Sequence, residues 1–222
     1  MTPRLFAIGI FSSLISATAP VGFAEQPGDN PAETSTILYE PQTLGPADAP
    51  AVITEYASVT CSRCASFHET VFPALKARAE AGDLRIEFHE IVTGPVQVSM
   101  AGAQLARCSG EDQYFDVVED LFDQQFAVLQ AAQTRQAKSK LKEIGAANGV
   151  SGEQFEACIR DEALFEAIAA NGEKASARGV RSTPTLFFNG EPIANADYSV
   201  ENLTRLIDEA NGVATTTEAD DE

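Results

Sequence analysis

The spacing of apolar and polar positions divides this chain into two strand-containing parts separated by a helical part. Residues 51–57 are mostly apolar, which predicts a buried strand, and residues 84–89 alternate with period two, which predicts another. Between them, apolar positions recur every three or four residues from Ser62, which predicts a helix with a kink at Pro73. A short first strand is expected at 36–39.

Residues 96–178 contain no convincing strand pattern. Five helices are expected there, over 98–108, around 114–122, around 141–147, from 151, and over 163–177. The following Asn189-Gly190 pair indicates a hairpin between strands at 185–188 and 191–194, and a last helix is expected over 200–210. The order βαβ, helical block, ββα predicts an α/β fold with a mixed sheet, in which residues 36–95 and 179–212 form one domain and residues 96–178 are a helical insertion.

Cys61-Ser62-Arg63-Cys64 lies where the strand at 51–57 gives way to the helix. Positions i and i+3 of a helix share a face, so the two thiols can close a disulfide in the first turn. The free N–H groups and the positive dipole end of a helix favour a thiolate, and Arg63 adds a fixed positive charge. We therefore expect a Cys61 thiol with a lowered pKa and a redox-active pair.

The N-terminal residues have the pattern of an export signal, and both ends of the chain contain polar segments. Arg4 followed by the uncharged stretch to Ala24 predicts a signal peptide for residues 1–24, cleaved after Ala24. A retained membrane anchor is the alternative, and the Ser, Thr, Pro and Gly content of the stretch argues against it. Residues 25–35 resemble a flexible leader, and residues 213–222 a disordered acidic tail.

The net charge of −18 argues against nucleic acid and anionic lipid surfaces as partners, because both attract basic proteins. It indicates a soluble, acidic protein.

Export changes the interpretation of the four cysteines, because an oxidising compartment permits disulfides. Four cysteines allow three pairings, and the simplest set joins Cys61 to Cys64 and Cys108 to Cys158. We interpret the distant pair as structural, since neither cysteine has a partner cysteine nearby in the sequence. A second redox couple is the alternative.

A metal site is not expected, because structural zinc normally needs four ligands and the sequence has only two histidines, His68 and His89. His68 is placed on the active-site helix without a ligand role, and His89 at a strand end. The helically spaced aromatics are expected in the core rather than in a substrate pocket; they are Tyr114, Phe115, Phe122 and Phe126.

The Cys-x-x-Cys at a strand end, the helical insertion, and Ser182-Thr183-Pro184-Thr185 before the hairpin together resemble the DsbA-like members of the thioredoxin superfamily. The resemblance covers nearly all of residues 40–210. It implies a thioredoxin-like fold and a thiol:disulfide oxidoreductase without a cofactor. Cys61 would be the exposed nucleophile and Cys64 the buried resolving thiol.

The resemblance also implies supporting residues. Pro184 occupies the position of the family's cis-proline, with Thr183 before it, and this loop would face the disulfide and pair with the client chain. Glu55 matches the family's buried acid. A buried acid here would act as a proton relay for the resolving thiol, whereas position alone also allows an edge residue that reaches water. The pair Ser62-Arg63 departs from the Pro-His that is usual in the oxidases of the family, and these two positions influence redox potential.

Three functions follow as hypotheses. The first is a periplasmic, monomeric dithiol oxidase acting on secreted client proteins and recycled by a DsbB-like membrane partner. The second is an isomerase or reductase with the same site. It ranks lower, because related isomerases usually dimerise through an N-terminal domain and the leader here is short. The third is a non-enzymatic copper-binding module that uses the Cys-x-x-Cys pair.

Overall fold

The computed structural model describes residues 39–213. The expected signal peptide and leader, most of the expected first strand and nearly all of the expected acidic tail lie outside these residues. The described strands are β1 (Gln42–Leu44), β2 (Ala51–Ala57), β3 (Leu84–Glu90), β4 (Thr185–Phe188) and β5 (Glu191–Pro192). The described helices are α1 (Ser62–Thr70), α2 (Phe72–Ala81), α3 (Val96–Cys108), α4 (Tyr114–Asp123), α5 (Gln125–Gln133), α6 (Ala137–Ala147), α7 (Gly152–Cys158), α8 (Glu162–Ala177) and α9 (Val200–Ala210).

The strands form one mixed sheet in the order β1–β3–β2–β4–β5. Strand β2 is central, with β3 parallel on one side and β4 antiparallel on the other. Strand β1 extends the sheet antiparallel to β3, and β5 pairs with β4. This is the mixed α/β sheet that the sequence predicts.

The two faces of the sheet are covered by different helices. Alternate residues of a strand point to opposite faces. Ile53 and its neighbours in register, Ile86 and Phe188, belong to the core cluster that also includes α1, α2, α4 and α9 residues. On the opposite face, Tyr56 and Phe187 pack with the end of α8. Glu55, two residues from Ile53, therefore points towards the face that α1 covers.

The segment between β3 and β4 is helical throughout, as expected, but it contains six helices rather than five. The sequence analysis missed α5. Its pattern is weak because only Gln125 and Val128 of this helix are buried, and one of them is polar. Helix α8 runs unbroken through Asn171-Gly172, because the Asn171 side chain is buried and donates a hydrogen bond of 2.9 Å to the carbonyl oxygen of Glu90.

Three further expectations need correction. The first described strand is Gln42–Leu44, and Tyr39 lies outside it. The predicted kinked helix is two helices separated at Val71, because Pro73 has no N–H for a helix interior and instead occupies the start of α2. Strand β5 ends at Pro192: the next residue, Ile193, still donates a backbone hydrogen bond of 3.0 Å to the carbonyl oxygen of Leu186, but the Leu186 N–H donates to the Tyr198 hydroxyl at 2.7 Å instead of returning the bond.

Within residues 39–213, no helix is both long and apolar enough to span a membrane.

Candidate active site

Cys61 is the N-cap residue of α1 rather than a residue of the helix itself. Its backbone is extended, with φ −89° and ψ 116°, and its Sγ accepts a hydrogen bond of 3.3 Å from the backbone N–H of Cys64. The first turn of α1 contains no acidic residue. The sulfur of Cys61 thus takes the place of the capping oxygen at the positive end of the helix.

The two thiols have opposite environments. Cys61 is only partly buried, whereas Cys64 is 0% exposed. Both are in the reduced state. The pair therefore contains one thiol that a protein client can reach and one that it cannot.

The pKa of Cys61 is lowered to about 5. A hydrogen bond from the Cys64 side chain is the largest cause, and it outweighs burial, which acts in the opposite direction. The side chain of Thr183 and the backbone N–H groups of Cys64 and Arg63 lower the pKa further. Arg63 contributes here through its backbone N–H, whereas the sequence analysis expected its side-chain charge to act.

The pKa of Cys64 is raised, first by burial and then by its hydrogen bond to Cys61 and by the charges of Cys61 and Glu55. Of the two thiols, Cys61 therefore carries the charge at neutral pH.

The loop before β4 faces Cys61. The Thr183–Pro184 peptide bond is cis, and Sγ of Cys61 lies 3.2 Å from the carbonyl oxygen of Thr183, to which it donates a hydrogen bond when the thiol is protonated. The fold thus brings together two segments that are about 120 residues apart in the chain, and the residues from the expected client-binding loop are adjacent to the nucleophile.

A cavity of about 250 Å³ opens beside this loop. Its walls come from α1, from Pro184 and from the turn before α9, and they include Arg63, Ser66, Phe67, Thr70, Asn195 and Tyr198. Ser62 and Arg63 are exposed next to it. A client chain that approaches Cys61 has room here.

The helical insertion contacts the active-site turn through Gln125 of α5. Its Nε2 donates hydrogen bonds of 2.9 Å to the carbonyl oxygen of Val59 and 3.1 Å to that of Cys61. The next residue, Phe126, is 73% exposed, which contradicts its expected place in the core. Tyr114, Phe115 and Phe122 are buried as predicted. Sequence reasoning missed Gln125 because it lies in the helix that was not predicted.

Glu55 lies beneath the active site on the central strand. It pairs in register with Phe88 on β3 and Leu186 on β4, and it is 1% exposed, so it is not an edge residue. Its Oε1 lies 3.1 Å from Nε2 of His68, which is also buried. His68, to which the sequence analysis gave no ligand role, is thus the hydrogen-bond partner of Glu55. The sequence spacing could have indicated that His68 lies at the site, because His68 follows Cys64 by four residues and so shares its helix face.

Cys108 and Cys158 form a disulfide that joins the C-terminal ends of α3 and α7, with 6.2 Å between their Cα atoms. Both belong to a separate apolar cluster with Met100 and Leu164. Among residues 39–213, no group of three or more His, Cys, Asp or Glu side chains is placed to hold a metal ion. His89 stacks on Tyr56, with 4.5 Å between ring centroids.

This geometry agrees with comparisons to known proteins. A family model described as Thioredoxin matches residues 39–209. The chain belongs to the thioredoxin family. It is 30% identical over 169 residues to a putative protein-disulfide oxidoreductase of Rickettsia typhi, a match that covers 75% of this chain and 60% of the relative. The thiol:disulfide interchange protein DsbA of Yersinia pestis is 24% identical, with 72% of each chain covered.

Among solved structures, alpha-DsbA1 of Wolbachia pipientis superimposes with a TM-score of 0.67 at 22% identity, over 79% of this chain and 94% of that one. The structural match supports the DsbA-like fold with its helical insertion.

Proposed function

We propose that this protein is a thiol:disulfide oxidoreductase that exchanges disulfides with client proteins through Cys61 and Cys64. One observation carries the proposal: an accessible Cys61 with a pKa near 5 lies at the N-terminus of α1, against a cis-proline loop and above a buried partner thiol. The similarity to proteins named protein-disulfide oxidoreductase supports it.

The reaction follows from the two environments. A client thiolate attacks Sγ of Cys61 in the oxidised pair, and Cys64 leaves as a thiolate that takes up a proton. A second client thiolate then attacks the client sulfur of the mixed disulfide, and Cys61 leaves as a stable thiolate. The client gains a disulfide and loses two electrons, which the Cys61–Cys64 pair accepts.

We further propose that the net direction is oxidation of clients. Every interaction that stabilises the Cys61 thiolate stabilises the reduced enzyme and makes its disulfide a stronger oxidant. Export to the periplasm is supported by the uncharged N-terminal stretch and by the Cys108–Cys158 disulfide, which requires an oxidising compartment. The proposal includes a monomeric enzyme and a DsbB-like membrane partner that accepts the electrons.

The direct test is substitution of each active-site cysteine. Cys61→Ser should reduce oxidation of reduced ribonuclease to background, because no other accessible thiolate can form the mixed disulfide. Cys64→Ser should retain attack by Cys61 on disulfides and accumulate mixed disulfides, because the resolving thiol is missing. Non-reducing electrophoresis shows both results. Normal turnover in Cys61→Ser would refute the function.

The direction has a separate test. Equilibration with glutathione buffers, read by thiol alkylation, should show that the Cys61–Cys64 disulfide is reduced more easily than the glutathione disulfide. A potential well below that of glutathione would favour a reductase. Faster recovery of scrambled than of reduced ribonuclease would favour an isomerase. Tight copper binding without dithiol activity would favour the binding module.

A further inference from the structure

His68 is a buried titratable residue that the exchange reaction described above does not use. Its side chain is 2% exposed, and it lies one helical turn after Cys64 on the same face of α1. A polar ring in such a position requires a partner, because burial without a hydrogen bond is costly.

The imidazole of His68 is enclosed by phenyl rings from three other elements. Phe72 of α2 stacks on it, with 4.2 Å between ring centroids, and Phe122 of α4 lies at 4.1 Å. Phe88 of β3 meets it edge-on at 5.9 Å. None of these three neighbours carries a charge or a hydrogen-bonding side chain.

Of the two nitrogen atoms of the His68 ring, one therefore has a hydrogen-bond partner within residues 39–213 and the other has none. Nε2 lies 3.1 Å from Oε1 of Glu55, and Nδ1 is buried with no partner among the described residues. A proton on Nδ1 would leave a buried donor unpaired and would direct the Nε2 lone pair at the carboxylate lone pairs. A proton on Nε2 gives a charge-assisted hydrogen bond to Glu55 and leaves only a lone pair unpaired. The ring therefore donates from Nε2.

We propose that His68 is a positioning residue of the exchange site: its Nε2–H holds Oε1 of Glu55, so that the other carboxylate oxygen takes up and returns the proton of Cys64. This inference rests on the proposed function. Among residues 39–213, His68 is the one side chain that forms a hydrogen bond with Glu55. The charge of Glu55 is also one of the causes that raise the pKa of Cys64, so the two groups interact.

The proton balance of the step is simple. When Cys64 resolves a mixed disulfide on Cys61, its S–H proton passes to the carboxylate of Glu55. The Cys64 thiolate then bonds to Sγ of Cys61, and the thiol that was joined to Cys61 leaves as a thiolate. In the reverse direction, Glu55 returns the proton to Cys64 as it leaves Cys61. No further reactant is needed.

The groups that face this pair are few. Strand β2 presents Glu55, and α1 presents Cys61 and Cys64. The turn before α9 presents Tyr198, whose pKa is raised by burial and then by the charge of Glu55. In the part of the chain that the structure describes, the rings of α2, β3 and α4 that contact His68 are the three phenyl rings. A change in pH dependence after substitution of His68 can therefore be assigned to this small set.

The test uses reduced protein and Ellman's reagent in a stopped-flow instrument between pH 5 and 8. Cys61 attacks the reagent and releases one thionitrobenzoate, and Cys64 then resolves the mixed disulfide and releases a second. The first phase reports on Cys61, and the second reports on proton loss from Cys64. The variants are His68→Leu, which removes the donor, and His68→Gln, which keeps an N–H donor at similar reach.

His89 provides the matched control. It is also a partly buried histidine, its Nδ1 lies 3.4 Å from the Oδ1 acceptor of Asn171, and it lies on the opposite face of the sheet. His89→Gln should leave both phases unchanged.

We expect His68→Leu to slow the second phase at least about tenfold at pH 6, since positioned proton transfer typically contributes ~10²–10⁴-fold. Its rate should then rise steeply with pH as hydroxide replaces Glu55, while the first phase is unchanged. His68→Gln should recover most of the rate. The proposal is overturned if His68→Leu keeps the wild-type pH profile, or if His68→Gln is as slow as His68→Leu.

A second measurement covers the case in which His68→Leu does not fold. Nitrogen-15 NMR of the wild-type imidazole should show the Nε2–H tautomer, and an Nδ1–H tautomer would overturn the proposal. Failure of the function itself looks different, because the wild-type protein would then show no first phase.

Discussion

At the residue scale, the behaviour of Cys61 depends on neighbours that do not carry formal charges. Its lowered pKa comes from the Cys64 side chain, the side chain of Thr183 and two backbone N–H groups. These donors are held rigidly by the first turn of α1 and by the loop before β4. These donors do not have to reorient when the thiolate forms. Their stabilisation of the thiolate is also less sensitive to salt than that of a cation at the surface would be.

This lowered pKa predicts the pH dependence of the reduced protein's stability. The ordinary pKa is 9.0 and the folded value is about 5. Between these values the unfolded chain binds more protons, so the free energy of unfolding should rise with pH over this window and fall as pH drops towards 5. Urea denaturation at pH 5, 6.5 and 8 measures it.

Cys61→Ser is the control for that measurement. The difference in stability between reduced wild type and Cys61→Ser should grow with pH, because the other titrating groups are shared. Cys64 contributes only above its ordinary pKa, where its raised folded value lowers stability. A difference that stays flat from pH 5 to 8 would contradict a thiolate at Cys61.

At the scale of elements, the close approach of α3 to the active-site turn determines how the helical insertion packs against the turn that carries Cys61. A Cβ built on Gly102 would lie 2.8 Å from Cγ2 of Val59, which belongs to a stiff β-branched side chain two residues before Cys61. The glycine lets the insertion pack directly against the turn that carries the nucleophile.

Gly102→Ala should therefore destabilise the protein by about 1–2 kcal/mol, because overpacking outweighs the gain in helix propensity. Gly172→Ala in α8 is the matched control. Nothing lies within 4 Å of its added Cβ, so it should stabilise by about 0.5–1 kcal/mol. Thermal unfolding gives both values.

The same clash can be relieved. In a double-mutant cycle, Val59→Ala should recover part of the stability lost in Gly102→Ala, since it removes the methyl group that would clash with the new Cβ. Strictly additive effects of the two substitutions would show that this contact is not the cause.

At the scale of the whole molecule, buried polar contacts join the insertion to the sheet. Glu90 at the end of β3 accepts hydrogen bonds of 2.7 and 2.8 Å from Arg107 of α3 and of 2.7 Å from Tyr114 of α4. Tyr39 also donates to this carboxylate. Within the insertion, the Cys108–Cys158 disulfide closes a loop with a sequence separation of 50 residues.

The double substitution of Cys108 and Cys158 by alanine should lower the free energy of unfolding by up to about 4 kcal/mol, because the unfolded chain regains the entropy of the open loop. Urea denaturation of the oxidised proteins measures it. Wild type treated with a strong reductant should lose a similar amount. An unchanged urea midpoint would mean that the disulfide has no structural role.

The sequence by itself determined the elements with clear periodicity and the local part of the site. Apolar spacing predicts strands β2, β3 and β4 and helix α9. The i, i+3 spacing at the start of a helix is sufficient to bring Cys61 and Cys64 together. These features depend on contacts close in the chain, where the residue pattern dictates the geometry.

Only the tertiary structure decided the rest, because it depends on contacts across long separations. Helix α5 is stable although few of its side chains are buried, and its Gln125 bonds the active-site turn from 64 residues away. Strand order decided whether Glu55 lies on an edge strand or on the central strand of the sheet. The packing of α1 over β2 decided that Glu55 pairs with His68. A one-dimensional pattern shows which residues are apolar, but the partner of a buried polar group is set by packing in three dimensions.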